Sequence, residues 1–370
     1  MNELVSLLQE LVAIDSCNPP GQEEEIYRFI QVWLERHGIA SHRVEFAPGR
    51  PSLWAEIRGE RSETILLSGH LDTVSIASGW ENPPLQPQIR NDRLYGLGAT
   101  DMKGGLALLL EVFRQAALRP KLPYTLRLLL SADEEDQYRG AAEFARKGLT
   151  ENIIFALVAE ATAGKVGIGE RGEFWLRVFF HGREAHGSTP EQGVNAILAC
   201  GRFLCLLEEK FQRAPPSLRS GSSTWNVGRI EGGRQVNIVA EQCWADLDIR
   251  LEFEEDKEKV IQLLESSGQS VCDQAQFRWE TISYQRPMRS DPKDPMIQQF
   301  VDSVRMVTGN EPKLDLVTYC TDLPSLFPAK APPFVLYGPG DIRQAHQPNE
   351  YLDLKSFKEC TKVLENFLLS

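Results

Sequence analysis

Six side chains in this chain are of types that hold divalent metal ions: His70, Asp101, Glu134, Glu135, Glu160 and His346. Two imidazoles with several carboxylates and no thiolate form a mixed nitrogen and oxygen set, which suits zinc, cobalt or manganese better than calcium or an iron–sulfur cluster. A catalytic zinc ion takes three protein ligands and keeps one position open. Six groups exceed that need and point to two ions, roughly 3.5 to 4 Å apart, sharing a carboxylate. Asp101, on a turn with glycines at 96, 98, 104 and 105, is the expected bridge. Asp72 is expected to accept a hydrogen bond from the far ring nitrogen of His70, fixing its tautomer without touching metal. Glu134 and Glu135 are adjacent, so their side chains diverge. One can bind metal while the other takes a proton from a water that the cation acidifies.

These residues need elements that bring them to one place. Ile65 to Leu67 is an apolar strand pattern running into His70; Thr125 to Ala132 ends at Asp133-Glu134-Glu135; Ile153 to Ala159 ends at Glu160; Phe334 to Tyr337 leads through Gly338-Pro339-Gly340 to His346. Ligands of open α/β sheets gather beyond the carboxyl ends of strands, so four strand ends are expected to converge on one polar site. A lone histidine after a strand, or a Glu-Glu pair, is more often a structural residue or a solvated face. The recurrence on four strand ends argues for a site, whereas His37 and His42, near a helix end and a surface turn, carry no such argument.

Around these strands the periodicity predicts helices over residues 2 to 14 (with Asn2 as a possible N-cap), 22 to 37 (stopped by Gly38), 106 to 117, 140 to 147, 295 to 307 and 354 to 369, and strands at 40 to 46, 53 to 57 and 314 to 318. From Glu173 the pattern changes to strands at 174 to 180, 224 to 230, 235 to 251 and 276 to 283, with helices at 191 to 211 and 255 to 266 and loops at Pro215-Pro216 and Ser220-Gly221-Ser222-Ser223. This is expected to be an inserted α+β domain over 173–285, interrupting a catalytic α/β domain of residues 1–172 and 286–370 with a mixed central sheet flanked by helices.

At 370 residues two domains are the natural expectation, and 42% hydrophobic with 25% charged residues is a globular composition. The net charge of -12 argues against nucleic acid or an anionic membrane as the main partner. Seven scattered cysteines without a CxxC spacing fit reduced thiols, and neither a leader pattern nor an apolar run near the about 20 residues of a membrane span occurs, so a cytoplasmic protein is expected. No Gly-x-Ser-x-Gly elbow occurs, and Cys320 lacks an obvious base, which disfavours serine or cysteine hydrolysis.

Gly69-His70-Leu71-Asp72-Thr73-Val74, Tyr95-Gly96-Leu97-Gly98 with Asp101-Met102-Lys103-Gly104, and Asp133-Glu134-Glu135 resemble, in order and spacing, the motifs of the co-catalytic zinc aminoacylase and exopeptidase family that contains acetylornithine deacetylase, succinyl-diaminopimelate desuccinylase and glutamate carboxypeptidase. The resemblance covers essentially the whole chain. It implies a zinc-exopeptidase-like catalytic domain with an inserted lid and dimerisation domain. It also implies Asp101 bridging two metals, His70 and Glu160 completing one site, Glu135 and His346 the other, and Glu134 as general base. Ala185-His186-Gly187-Ser188 with Gly193-Val194-Asn195-Ala196-Ile197 matches a signature whose histidine, here His186, stabilises the tetrahedral oxyanion, commonly from the partner subunit. Asn237 and Arg250 match positions that hold the substrate carboxylate, a task suited to a guanidinium fork.

Within the family, Tyr319-Cys320-Thr321-Asp322 and Gly338 to Ile342 with Gln344 to Tyr351 resemble the acetylornithine deacetylases. Two departures, Ala159-Glu160-Ala161-Thr162 for a usual Gly-Glu-Pro-Thr and Arg171-Gly172 for Lys-Gly, leave the ligand in place and bear on substrate choice. The implied activity is hydrolysis of an N-acyl amino acid or short peptide, N-acetyl-L-ornithine first. Desuccinylase, broad aminoacylase, metallo-dipeptidase or carboxypeptidase are alternatives, and a catalytically silent dimeric binding protein is a remote one.

Overall fold

The structure is a computed structural model and describes residues 2–214, 218, 223–271 and 274–369. The loop expected around Pro215-Pro216 and Ser220 to Ser222, residue Cys272 and the side chain of Asn2 lie outside the described residues. Two compact units divide the chain: residues 1–169, 289–317 and 321–370 form the first, and residues 170–288 with 318–320 the second.

The first unit is built on a mixed sheet whose centre is parallel. In order across it run Ser41–Ala47, Arg50–Ile57, Thr125–Ser131, Thr64–His70, Ile153–Val158, Phe334–Leu336, Val166–Glu170 and Met288–Arg289, with Leu314–Val317 also on Val166–Glu170. Thr64–His70 is parallel to both Thr125–Ser131 and Ile153–Val158, and Phe334–Leu336 is parallel to Ile153–Val158. These four central strands read as near-continuous apolar runs because both of their faces are buried. Helices Asn2–Val12, Glu23–Arg36, Gly104–Ala117, Pro295–Thr308 and Leu354–Leu369 supply apolar stripes, and one cluster holds Leu8, Ile30, Leu67, Leu109, Leu128, Phe155, Phe300 and Phe357. Gly38, at φ 73°, lies just beyond the second helix, and Gly309, at φ 72°, caps the Pro295–Thr308 helix.

The second unit is a four-stranded antiparallel sheet in the order Thr224–Gly232, Gln242–Leu251, Gly172–His181, Gln276–Gln285. Phe174, Leu176, Val178 and Phe180 point from the long central strand into a core with Phe203 and Leu207 of helix Ala196–Arg213 and Leu264 of helix Asp256–Val271.

The structure departs from expectation at two elements here. The helix expected from 191 begins at Ala196, because Pro190–Gln192 is a separate turn, Gly193 is extended, and the Asn195 side chain caps the N–H of Leu198 at 3.1 Å. The strand expected from 235 begins at Gln242, and residues 235–238 instead form a turn in which Ile238 N–H donates to Gln235 O. Among the described residues no helix is long and apolar enough to cross a membrane.

Candidate metal centre

His70 is the last residue of a strand held on both sides by parallel neighbours, so its position is set by the sheet ladder rather than by a loop. Leu71 N–H continues the ladder to Ser131 O at 2.7 Å, and Thr73 N–H reaches Ser16 O at 3.0 Å while Asn18 N–H reaches Thr73 O at 2.8 Å. The turn after His70 is thereby pinned to the segment following the first helix. Glu160 follows Ile153–Val158, and the chain beyond Phe334–Leu336 passes close over it: a Cβ at Gly338 would lie 2.5 Å from Ala159 O and 2.6 Å from Glu160 O. Only glycine permits that approach.

Five of the six candidate side chains come together in two groups that share one residue. His70, Asp101 and Glu160 offer atoms within 4.8 Å of one another, and so do Asp101, Glu135 and His346. The Nε2 of His70 lies 3.2 Å from Asp101 Oδ1 and 3.5 Å from Glu160 Oε1. On the other side, the Nε2 of His346 lies 3.3 Å from Asp101 Oδ2 and 3.1 Å from Glu135 Oε2. Asp101 therefore turns one oxygen to each histidine. Glu134 stands beside the first group, its Oε2 3.9 Å from His70 Nε2.

Burial and neighbouring charge together shift the titration of these groups. Against the burial that would lower it, Glu134, Asp101, Asp72 and Glu160 hold His70 well above its ordinary value. Hydrogen bonds to Asp101 and Glu135 push His346 up to about 11. Burial raises Glu134 well above the carboxylate range and Glu160 to about 8, whereas at Asp101 burial is outweighed by the two imidazoles and the carboxyl is held low. Such crowding of buried acids is what a strong local cation would offset.

The donor set fits two divalent cations on one further observation. Glu135 Oε1 is buried and has no hydrogen-bond partner among the described residues, which is costly for a carboxylate oxygen and consistent with a ligand atom.

Asp72 behaves differently from expectation. The Nδ1 of His70 meets the main-chain carbonyl of Asp72 at 2.9 Å, and the Asp72 carboxylate stands 3.6 Å away. Its oxygens instead accept from the N–H groups of Glu134 and Glu135, at 3.2 and 3.1 Å, and from Asn18 Nδ2 at 2.9 Å. One residue thus orients His70 through its backbone and the Glu134-Glu135 turn through its side chain.

A supporting layer surrounds Asp72. The second Asn18 hydrogen reaches Asp133 Oδ1 at 3.2 Å, and Asp133 is gripped by Arg50 at 2.9 Å and Arg139 at 2.6 Å. Arg50 also forks onto the buried Glu23, and both guanidinium groups lie over the Phe46 ring. Asp133 has a φ of 73°, uncommon for a residue with a side chain, and this grip holds it there. Asp322 is a further buried acid, bonded through Oδ2 to the Ser131 hydroxyl and raised by burial to about 7. None of Asn18, Arg50, Asp133, Arg139, Asp322 and Glu350 was singled out from the sequence. Asp133 beside Glu134, and Glu350 four residues after His346, were the available signals.

The remaining candidates lie in the second unit. His186 is exposed, with Nδ1 2.7 Å from Ser188 Oγ, and Gly187 N–H donates to Asn237 O at 2.7 Å, making His186 and Asn237 near neighbours. Arg250 forks onto Asp248 at 2.8 and 3.2 Å and reaches Glu173 at 3.3 Å. Outside the cluster, His37 bonds Trp33 O and His42 stacks on Trp54.

Comparison with known proteins agrees with the fold and the chemistry. The chain is 28% identical over 385 residues to an acetylornithine deacetylase of Photorhabdus laumondii subsp. laumondii, covering 98% of this chain and 96% of that protein. It is 26% identical to an N-formyl-4-amino-5-aminomethyl-2-methylpyrimidine deformylase of Bacillus subtilis, over 100% of this chain and 94% of the other. Its fold matches that of Sso-CP2, an M20 family metallo-carboxypeptidase from Sulfolobus solfataricus, with a TM-score of 0.82 at 20% identity, covering 99% and 98% of the two chains. Residues 66–370 match Peptidase family M20/M25/M40. The chain is a member of that family, an enzyme that hydrolyses amide bonds.

Proposed function

We propose that this enzyme removes the acyl group from an N-acyl amino acid, with N-acetyl-L-ornithine as first substrate, through two divalent ions, most simply zinc, with cobalt or manganese as substitutes. The observation that carries the reading is Asp101, whose two oxygens face two different histidines while Glu134 stands free of both groups. His70, Asp101 and Glu160 would hold one ion, and Asp101, Glu135 and His346 the other. When bound, the pair supplies the positive charge that polarises the scissile carbonyl and acidifies the attacking water.

Glu134 takes the proton from that water and returns it to the leaving amine nitrogen. Burial raises its basicity, which suits a group that must both accept and donate near neutral pH. Asp72 keeps Glu134 and Glu135 in divergent directions through their main-chain N–H groups. By resemblance, His186 donates to the oxyanion from a second copy of the chain, and Asn237 and Arg250 hold the substrate carboxylate. Dimerisation through the second unit is supported by its Thr224–Gly232 edge strand, which has one sheet neighbour among the described residues, and by the exposed Ile197, Leu198, Ile230 and Val236. A cytoplasmic place in arginine biosynthesis follows from this substrate and the scattered cysteines.

The test is amine release from N-acetyl-L-ornithine, N-succinyl-diaminopimelate, N-acetyl amino acids, dipeptides and an N-formyl aminomethylpyrimidine, with metal-loaded and chelator-stripped protein. Metal-dependent preference for acetylornithine supports the proposal. Preference for another member of the panel replaces the substrate while keeping the chemistry.

A further inference from the structure

We propose that Glu350 is a positioning residue of the metal centre, its carboxylate fixing the Asp101 turn against the His346 segment and so setting the register between the two cation positions. The inference rests on the two-ion reading of the centre.

The turn that carries Asp101 bonds the amides of Ala99 and Lys103 internally but not those of Gly98, Thr100 and Asp101. Gly98 is left-handed, at φ 74°, and Asp101 and Met102 have non-helical backbone angles directly before the Gly104–Ala117 helix. The N–H groups of Gly98, Thr100 and Asp101 consequently converge to one side, forming a concave donor set that binds an anion. Glu350 fills it: one oxygen accepts from Thr100 N at 2.7 Å and Asp101 N at 3.1 Å, the other from Gly98 N at 2.9 Å. At 2% exposure, the carboxylate has no water to fall back on, and without it three donors would be orphaned.

The main chain around Glu350 repeats the link. Its carbonyl accepts from Gly96 N at 3.1 Å, Thr100 Oγ1 donates to Tyr351 O at 2.7 Å, and Tyr351–Asp353 pairs with Arg93–Tyr95. Glu350 therefore ties the stretch before Asp101 to the stretch after His346.

The two groups of ligands differ in how much they need this tie. His70 and Glu160 stand at the ends of central sheet strands. His346 lies on a loop, at φ 61°, with its side chain 53% exposed. Downstream of it the first buried anchor is Glu350, while Asn349 in between accepts from Glu81 N. Loosening Glu350 should therefore free Asp101 Oδ2 and His346 from each other, and leave His70 and Glu160 where the strands put them.

The test is cobalt(II) titration of metal-free full-length protein, followed by equilibrium dialysis and by the visible and electron-spin spectra, for the parent and Glu350→Gln. The glutamine keeps the size but turns an N–H₂ toward N–H donors. The parent should bind two ions in two phases with a spin-coupled spectrum. Glu350→Gln should keep the first phase within about threefold, weaken the second by about 10- to 100-fold and lose the coupling. Equal affinities in variant and parent would overturn the inference, as would equal weakening of both phases, which a purely structural role produces. Should the glutamine variant not fold, Glu350→Asp is read by the same criterion. A parent that binds no cobalt would sink the two-ion reading itself, and the inference with it.

Discussion

At the scale of single residues, the proposed division of labour between Glu134 and Glu135 rests on one backbone turn. Asp72 accepts both of their N–H groups, so the side chains leave in different directions, one to His346 and one toward His70. Replacing Glu134 by Gln should lower kcat by about 100- to 10,000-fold at unchanged metal content, measured by amine release and elemental analysis. Retained activity would remove Glu134 from its role. Asn18→Leu deletes the two hydrogens that separate the Asp72 and Asp133 carboxylates and should destabilise the metal-free protein by about 3 kcal/mol in urea unfolding. The clustered acids and histidines were legible because each follows a strand pattern or a glycine-rich turn. Asn18 was not, since Asn-Pro-Pro reads only as a chain breaker and its partners lie 54 and 115 residues away.

At the scale of elements, the close approach of the Gly104–Ala117 helix to the end of the Ile153–Val158 strand brings Asp101 and Glu160 together. A Cβ at Gly105 would lie 2.0 Å from Ala159 O, so Gly105→Ala must push helix and strand apart. The expected cost is about 1–3 kcal/mol in thermal or chemical unfolding, with reduced metal affinity; an unperturbed variant would mean that this approach is not tight in solution. The four central strands could be read from sequence because burial on both faces leaves long apolar runs. Gln88–Arg90, Arg93–Tyr95, Met288–Arg289 and Tyr351–Asp353 could not, since two or three partly exposed residues carry neither a period nor the unbroken apolar run that marks the equally short but fully buried Phe334–Leu336. They matter nonetheless, because the Arg93–Tyr95 pairing secures the strand that follows Glu350.

At the scale of the whole molecule, metal binding and the proposed dimer would enter as linked equilibria. An ion that binds only the folded chain adds about 2.7 kcal/mol when present at 100 times its Kd, so chelation should lower the melting temperature and zinc or cobalt should restore it. If His186 works across a two-fold axis, mixing inactive Glu134→Gln and His186→Ala proteins under conditions of subunit exchange should regenerate activity, because one of the two sites in a mixed dimer is intact. No recovery after proven exchange would place His186 in the same subunit as its metal centre or outside catalysis. The exposed His186, hydrogen-bonded only within its own turn among the described residues, offered the sequence reader a motif but no partner.

The decisive measurement is the rate of amide hydrolysis as metal-free protein is titrated with zinc or cobalt, with bound metal counted on the same samples. Two ions per chain, activity appearing only as ions bind, and Asp101→Asn losing the binding of both are the predicted result. Full hydrolysis by protein that remains metal-free, or saturation at one ion with Asp101→Asn unaffected, would contradict a centre built on the two oxygens of Asp101.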